Sequence, residues 1–219
     1  MKLSRHCCSL FIVSLFIVLI TGCARSVTSY VNYGTQMVVE VTLRGTIETT
    51  ANRYFLVLAR TAAYSVPLPL PYNVGQYEMI EPGTAPRSGT WSDYQTNFYC
   101  SWEGYCLTEA NSHLTVKGPF TYNVTPSREV ITSVGERTNK LSYTFSLSKI
   151  FGASIPDTIY FDLVTVPWPN ADLRLPADHL AITDAYVSKI AGSTRTVPDE
   201  ENLALDAAVD IKECTVTIQ

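Results

Sequence analysis

Residues 140–148, KLSYTFSLS, constrain the fold more than any other stretch of this chain. The apolar residues of this stretch alternate without exception with serine or threonine; they are Leu141, Tyr143, Phe145 and Leu147. Because successive side chains of a β-strand point to opposite faces, the pattern predicts a strand with one buried and one polar face. Residues 214–219 repeat the alternation. The chain therefore needs a sheet whose apolar face is covered.

Other segments of the chain also carry strand-like apolar patterns between Pro- and Gly-rich connections. They are residues 36–44, 53–59, 94–100, 112–117, 128–134 and 158–166. Signals for helix are confined to residues 175–188 and 199–209, where a turn or two would fit. Many short strands with little helix predict an all-β fold: a single antiparallel β-sandwich over residues 36–219, immunoglobulin-like or carbohydrate-binding-module-like.

Residues 141–166, LSYTFSLSKIFGASIPDTIYFDLVTV, combine an alternating strand, a short corner and a buried strand. Together with RYFLVLA at residues 53–59, this segment resembles the DOMON-like and family-9 carbohydrate-binding β-sandwiches. The resemblance implies a sandwich that binds sugars or haem, or that only mediates contacts with other macromolecules. The residues themselves indicate no cofactor, and we expect none.

Residues 9–23, SLFIVSLFIVLITGC, are the most apolar run of the chain. As a helix, the apolar part at residues 10–20 would cover about 16 Å, well short of the roughly 30 Å hydrocarbon core of a bilayer. Lys2 and Arg5 precede the run, and the first acidic residue is Glu40. A basic head, a short apolar body and a small-residue exit are typical of a secretory signal peptide.

The end of this run, ITGC at residues 20–23, resembles the lipobox of bacterial lipoproteins. The resemblance implies that residues 1–22 are removed and that Cys23 is lipidated; a chance cysteine after an ordinary signal peptide is the alternative. Residues 23–35 are polar and are predicted to form a flexible tether. Ala24, where retained lipoproteins have Asp, favours the outer membrane if the cell is Gram-negative. We expect a lipid-anchored protein of the cell envelope.

The charge of the chain excludes one class of partner. The formal net charge is −4, and removal of Lys2 and Arg5 makes it more negative. An acidic chain does not favour nucleic acid as its main partner. The expected partners are the membrane, through the N-terminal lipid, and a glycan or an envelope protein.

No catalytic motif stands out in the sequence. Phosphate-binding loops, Gly-x-Ser-x-Gly, His-Glu-x-x-His and Cys-x-x-Cys are all absent. His113 is predicted to be a half-exposed sheet residue. Asp178, His179 and Asp184 could meet near one loop as a metal or acid–base cluster, although loop polarity explains them equally well. We therefore predict a non-catalytic protein without a metal site, with a lipid-anchored hydrolase as the less favoured alternative.

The stretch CSWEGYC, residues 100–106, is predicted to be a hairpin with Gly104 in its turn. Opposed residues of a hairpin are close enough for a disulfide, so we expect a Cys100–Cys106 bond and a free Cys214. The rival is Cys214 paired with one of the other two cysteines. The hairpin would present aromatic rings for a sugar or a protein partner. The candidate ligand contacts are Trp102, Tyr99, Tyr105, Trp91 and Trp168, with the capping of a sandwich core as the alternative role.

Overall fold

The structure is a computed structural model of the chain. It describes residues 31–75, 77–84, 91–110, 112–131, 133–168, 173–180 and 185–219, without the side chains of residues 91, 92 and 133–137. The chain divides after Val31, and Asn32–Gln219 form one compact unit. The predicted signal peptide and Cys23 lie outside the described residues. Among the described residues, no helix has the length and apolar character needed to cross a membrane.

The described part of the chain consists mainly of β-strands, which confirms the all-β class. The strands are β1 (Gln36–Leu43), β2 (Asn52–Ala59), β3 (Gly104–Glu109), β4 (Ser112–Lys117), β5 (Arg128–Val130), β6 (Ser133–Arg137), β7 (Lys140–Ser146), β8 (Thr158–Pro167), β9 (Asp178–His179), β10 (Tyr186–Ser188), β11 (Thr194–Pro198) and β12 (Ile211–Ile218). The helices are α1 (Trp91–Asn97), a 3₁₀ helix (Tyr99–Ser101) and α2 (Ser148–Phe151).

The strands form two antiparallel sheets. The first sheet has the order β11-β12-β1-β7-β6, so that the first and last strands of the domain are neighbours at its centre. The second has the order β10-β8-β2-β3-β4-β5, and β9 pairs with β8 as well. Residues 33–35, which the sequence assigned to the tether, bond to the domain: Gly34 N–H donates to Lys189 O and Thr35 N–H to Gln219 O, both at 2.8 Å.

One hydrophobic cluster contains residues of both sheets. The alternation at residues 140–148 produces the burial expected of it, because Leu141, Tyr143 and Phe145 are buried while the residues between them are not. They share this cluster with Val41 of β1 in the same sheet and Leu56 of β2 in the other sheet. Burial of these apolar side chains contributes about 25 cal/mol per Å² of surface removed from water.

A second hydrophobic cluster covers the opposite face of the second sheet. Phe55 of β2, Tyr105 of β3 and Val164 of β8 belong to it, and residues of the connection between β2 and β3 pack on them. The second sheet is therefore buried on both faces. This explains why the strand RYFLVLA is continuously apolar rather than alternating.

Two local predictions of secondary structure were wrong. Residues 94–100, predicted to be a strand, lie in α1 and the 3₁₀ helix. Tyr94 and Phe98 are four residues apart and their ring centroids lie 5.5 Å from each other, as helical spacing allows. The described parts of residues 175–188 and 199–209 contain no helix; the first holds β9 and β10, and the second consists of turns and irregular chain.

Candidate functional site

Trp102, the centre of the predicted contact surface, is a core residue. Only 6% of it is exposed, and its Nε1–H donates to Ser65 O at 2.7 Å. The Tyr99 ring packs edge-on against it, with the centroids 4.7 Å apart. The hairpin that would present Trp102 does not form; the residue packs with the second hydrophobic cluster, and it also contributes to the lining of a surface groove.

Tyr99 and Tyr105 are buried beside Trp102. The Tyr99 hydroxyl donates to Ile80 O, and burial raises the pKa of Tyr99 well above its usual range. Tyr105 is 1% exposed and lies against Phe55, with ring centroids 5.8 Å apart. Both rings belong to the cluster that covers the outer face of the second sheet rather than to the core shared by the two sheets.

Trp168 is half-buried, and guanidinium groups of the protein itself lie over its ring. The Cζ atoms of Arg53 and Arg174 are 3.8 and 4.2 Å from a ring centroid of Trp168. Arg53 is held by ion pairs to Glu81 and to Glu109, the latter at 2.8 Å. These cation–π contacts occupy surface that a sugar would need for stacking. Trp91 begins α1, and its side chain lies outside the described residues.

The predicted Cys100–Cys106 disulfide is absent, because its hairpin does not form. Cys100 is exposed in the 3₁₀ helix, where its Sγ–H donates to Thr96 O at 2.9 Å. Cys106 is buried in β3, directly opposite Leu56 of β2 and Thr115 of β4. Within the described part of the chain, Cys100, Cys106 and Cys214 are all free thiols, so the rival pairing through Cys214 is not formed either.

A groove of about 440 Å³ opens at the surface beside the 3₁₀ helix. Its apolar lining comes from the edges of Tyr99, Trp102 and Phe120, and its polar lining includes Gln95, Glu103 and Lys117. The Glu103 carboxylate pairs with Arg60 Nε at 2.7 Å. Gln95 Oε1 is buried without a hydrogen-bond partner among the described residues. The groove thus combines an apolar floor with polar groups.

A smaller pocket of about 150 Å³ contains an aspartate–histidine pair. Asp162 lies in β8 and His179 in β9, and the pocket wall includes Tyr64, Val66 and Leu68. His179 Nδ1 is 3.5 Å from Asp162 Oδ2, while Asp162 Oδ1 accepts the Leu180 N–H at 3.2 Å. The pair is an ion-pair contact rather than a short hydrogen bond.

The two members of this pair titrate together. The contact with Asp162 raises the pKa of His179. Burial raises the pKa of Asp162, even though His179 and the backbone N–H of Leu180 oppose the shift. Both shifts favour retention of a proton on the pair. The pocket can therefore offer a charged or hydrogen-bonding imidazole to a small ligand.

The sequence identified His179 but not its partner. Asp178 uses its carboxylate for the backbone: Oδ1 accepts the His179 N–H at 3.0 Å and Oδ2 the Ile211 N–H at 2.8 Å. Asp184 lies outside the described residues. The signal that points to Asp162 is a single charged residue within an otherwise apolar strand. No group of three or more His, Cys, Asp or Glu residues among those described is arranged to hold a metal ion.

His113 is not the half-exposed residue that the sequence predicted. It is 2% exposed, and its Nδ1 lies 2.7 Å from Thr108 Oγ1. Its ring stacks on Tyr143 of the other sheet, with centroids 5.4 Å apart and an interplanar angle of 22°. Burial lowers the pKa of His113. The residue belongs to the packing between the sheets.

Comparison with known proteins gives no relative for this arrangement. No protein family, curated protein or solved structure matches the chain. Its functional assignment therefore rests on its own residues and geometry.

Proposed function

We propose that the chain is a lipid-anchored protein of the bacterial cell envelope whose domain, a single β-sandwich, is a non-catalytic binding module. The observation that carries this proposal is the ITGC sequence, whose cysteine lies nine residues before Asn32, where the compact unit begins. Two or more acyl chains on one cysteine hold a protein stably on a bilayer.

Two features of the core support a sandwich. Both sheets are antiparallel throughout the pairs described, and the apolar faces of β1 and β7 share a hydrophobic cluster with β2 and β8. Contacts across the sheets, such as the stacking of His113 on Tyr143, connect the two layers. This is the arrangement in which two sheets bury each other's inner faces.

The geometry of the small pocket argues against one class of catalysis, covalent hydrolysis by a serine nucleophile. A hydrolase of the Ser-His-Asp type built on Asp162 and His179 would need a nucleophile directed at the imidazole. Ser65 is the hydroxyl residue of the pocket wall other than tyrosine, and its Oγ–H donates to Asn97 O instead.

Acyl labelling tests the lipid anchor. Cells that express the full precursor are grown with alkyne-tagged palmitate, and the protein is examined for label and for membrane association. We expect the wild type and Cys100→Ser to be labelled, cleaved and membrane-bound. Cys23→Ser should remain an unlabelled, heavier precursor. Normal cleavage of Cys23→Ser, together with a wild type that remains unlabelled and outside the membrane fraction, would refute the proposal.

A second candidate function is carbohydrate binding in the groove beside the 3₁₀ helix. The observation that favours it is a groove of about 440 Å³ lined by both aromatic and polar residues, since ligand sites usually combine an apolar lining with a few polar groups in roughly 300–1,000 Å³. Lys117 supplies a hydrogen-bond donor at the same groove.

A glycan array tests this second function with variants that spare the core. Gln95→Ala and Lys117→Ala should each reduce binding, whereas Lys140→Ala, an exposed lysine of β7, should not. Trp102→Ala is unsuitable because the residue is buried. If no glycan binds, or if all three variants bind equally well, the groove is not a carbohydrate site.

A further inference from the structure

Several partly exposed apolar side chains lie on the edge of the second sheet where the compact unit begins. We define the edge patch as Tyr33, Tyr160, Tyr186 and Ile190. Tyr33 and Ile190 are bridged as antiparallel partners, and Tyr186 of β10 lies opposite Tyr160 of β8, with ring centroids 5.7 Å apart. Tyr33 is 54% exposed, Tyr186 52% and Ile190 42%. Large apolar residues are grouped here on one edge of the second sheet.

Chain length limits how far the proposed anchor can lie from this edge. Asn32 is held to the turn after β10, since its O accepts the Ala191 N–H at 2.8 Å. The nine residues from Cys23 to Asn32 span at most about 30 Å even when fully extended. A domain of this size has a diameter of roughly 40 Å, estimated from its expected radius of gyration. Chain length therefore allows the acyl chains of Cys23 no more than about 30 Å of separation from Asn32, which is less than the diameter of the domain.

The chemistry of the edge patch matches the boundary between lipid headgroups and acyl chains. Tyrosine has an apolar ring and a polar hydroxyl, and it is enriched where membrane proteins meet that boundary. Lys189 places Nζ 4.4 Å from the centroid of Tyr33 and pairs with Asp157 at 2.6 Å. Because this lysine is already neutralised by an aspartate, attraction to anionic lipid is not the driving force.

We propose that the edge patch rests on the surface of the bilayer that holds the acyl chains of Cys23, with Tyr33, Tyr186 and Ile190 at the headgroup–acyl boundary. This inference rests on the proposed lipid anchor. It fixes the orientation of the domain: β10 faces the membrane, and β5, at the opposite end of the strand order, faces away from it. Five strand spacings of about 4.8 Å separate the two edges.

Hydroxyl-radical footprinting of the mature lipoprotein tests the orientation. The protein is reconstituted at one copy per phosphatidylcholine nanodisc, and oxidation of each tyrosine is measured by mass spectrometry. The internal control is Tyr122, which is 65% exposed and lies between β4 and β5. We expect Tyr33 and Tyr186 to react at least about threefold more slowly than Tyr122, because groups at the interface are shielded from water.

A matched pair of variants tests whether the patch causes the protection. Tyr186→Ser combined with Ile190→Ser should bring the reaction of Tyr33 to within about twofold of Tyr122, since the apolar area that binds the interface is lost. Val124→Ser combined with Val130→Ser, on the opposite side, should leave Tyr33 protected. Both double variants should remain acylated, as the mass of the N-terminal peptide reports.

The possible outcomes distinguish a failure of this inference from a failure of the proposed lipid anchor on which it rests. An N-terminal peptide without acyl mass overturns the proposed anchor itself. An acylated protein whose Tyr33 and Tyr186 react as fast as Tyr122 leaves the anchor intact and overturns the orientation. Protection that appears only at two copies per disc identifies a second copy of the chain as the occupant and overturns the membrane contact.

Discussion

Truncation of Trp102 should destabilise the whole domain rather than affect ligand binding alone. The side chain is 94% removed from solvent, and burial of an aromatic residue of this size removes about 200 Å² from water. At about 25 cal/mol per Å² this amounts to roughly 5 kcal/mol as an upper estimate. Trp102→Ala also removes the donor to Ser65 O. We expect a loss of about 3–5 kcal/mol in the free energy of unfolding, the range for truncation of a buried aromatic residue.

The assay is urea denaturation of the mature protein, followed by circular dichroism. Trp102→Phe separates the ring from its hydrogen bond: it keeps most of the packing, leaves Ser65 O without its donor, and should cost about 1–3 kcal/mol. Tyr72→Ala, at a residue that is 73% exposed, is the matched control and should stay within about 0.5 kcal/mol of wild type. A loss below about 1 kcal/mol for Trp102→Ala would refute the assignment of this residue to the core.

Three further predictions concern titration and thiol reactivity. Because folding lowers the pKa of His113, the unfolded chain binds more protons than the folded one just below about pH 6.5, and the free energy of unfolding should fall as the pH drops through that value. In His113→Phe the denaturation midpoint should fall less steeply with decreasing pH. An unchanged dependence of the midpoint on pH would contradict the assignment. Asp162→Asn should lower the pKa of His179, measured by NMR titration of the imidazole, since Asp162 is the main cause of its rise; an equal or higher pKa would show that another group sets it. Iodoacetamide should modify Cys100 in the native protein, but Cys106 and Cys214 only after unfolding. Burial shields the two latter thiols and raises their pKa. Peptide mapping that finds Cys214 modified first, or that finds a disulfide, would refute this prediction.

The sequence predicted correctly the strands whose own residues show a clear pattern of apolar and polar side chains. Residues 140–148 alternate because one face of β7 meets the shared core, and residues 112–117 correspond to β4 residue for residue. The buried strand at residues 53–59 also matches β2 to within one residue. For β2 and β7 the burial pattern follows the order of apolar and polar side chains, whereas in β4 only the bounds do, because His113 and Thr115 are buried as well.

The candidate site could not be predicted because its geometry depends on residues far apart in the chain. Trp102 looks like a loop aromatic from its Gly-containing surroundings, but the connection between β2 and β3 folds over the sheet and buries it. The pairing of β9 with β8 brings His179 next to Asp162, whereas the sequence points to its neighbour Asp178. Gly104 suggested a hairpin turn, whereas it begins a strand that is paired on both sides. A Cβ there would lie 2.5 Å from Val116 O, so the glycine permits close strand packing rather than a turn.

The placement of β12 beside β1 sets the order of events during synthesis. Met37 is paired with Ile218, so the centre of the first sheet joins two ends of the domain. At about 5–20 residues per second, roughly 10–40 s of translation separate the emergence of these two strands. The core shared by the sheets cannot close in that interval, and such long-range pairing is also slow to form afterwards. A chain exported under the proposed signal peptide thus stays unfolded long enough to be threaded through a translocation channel.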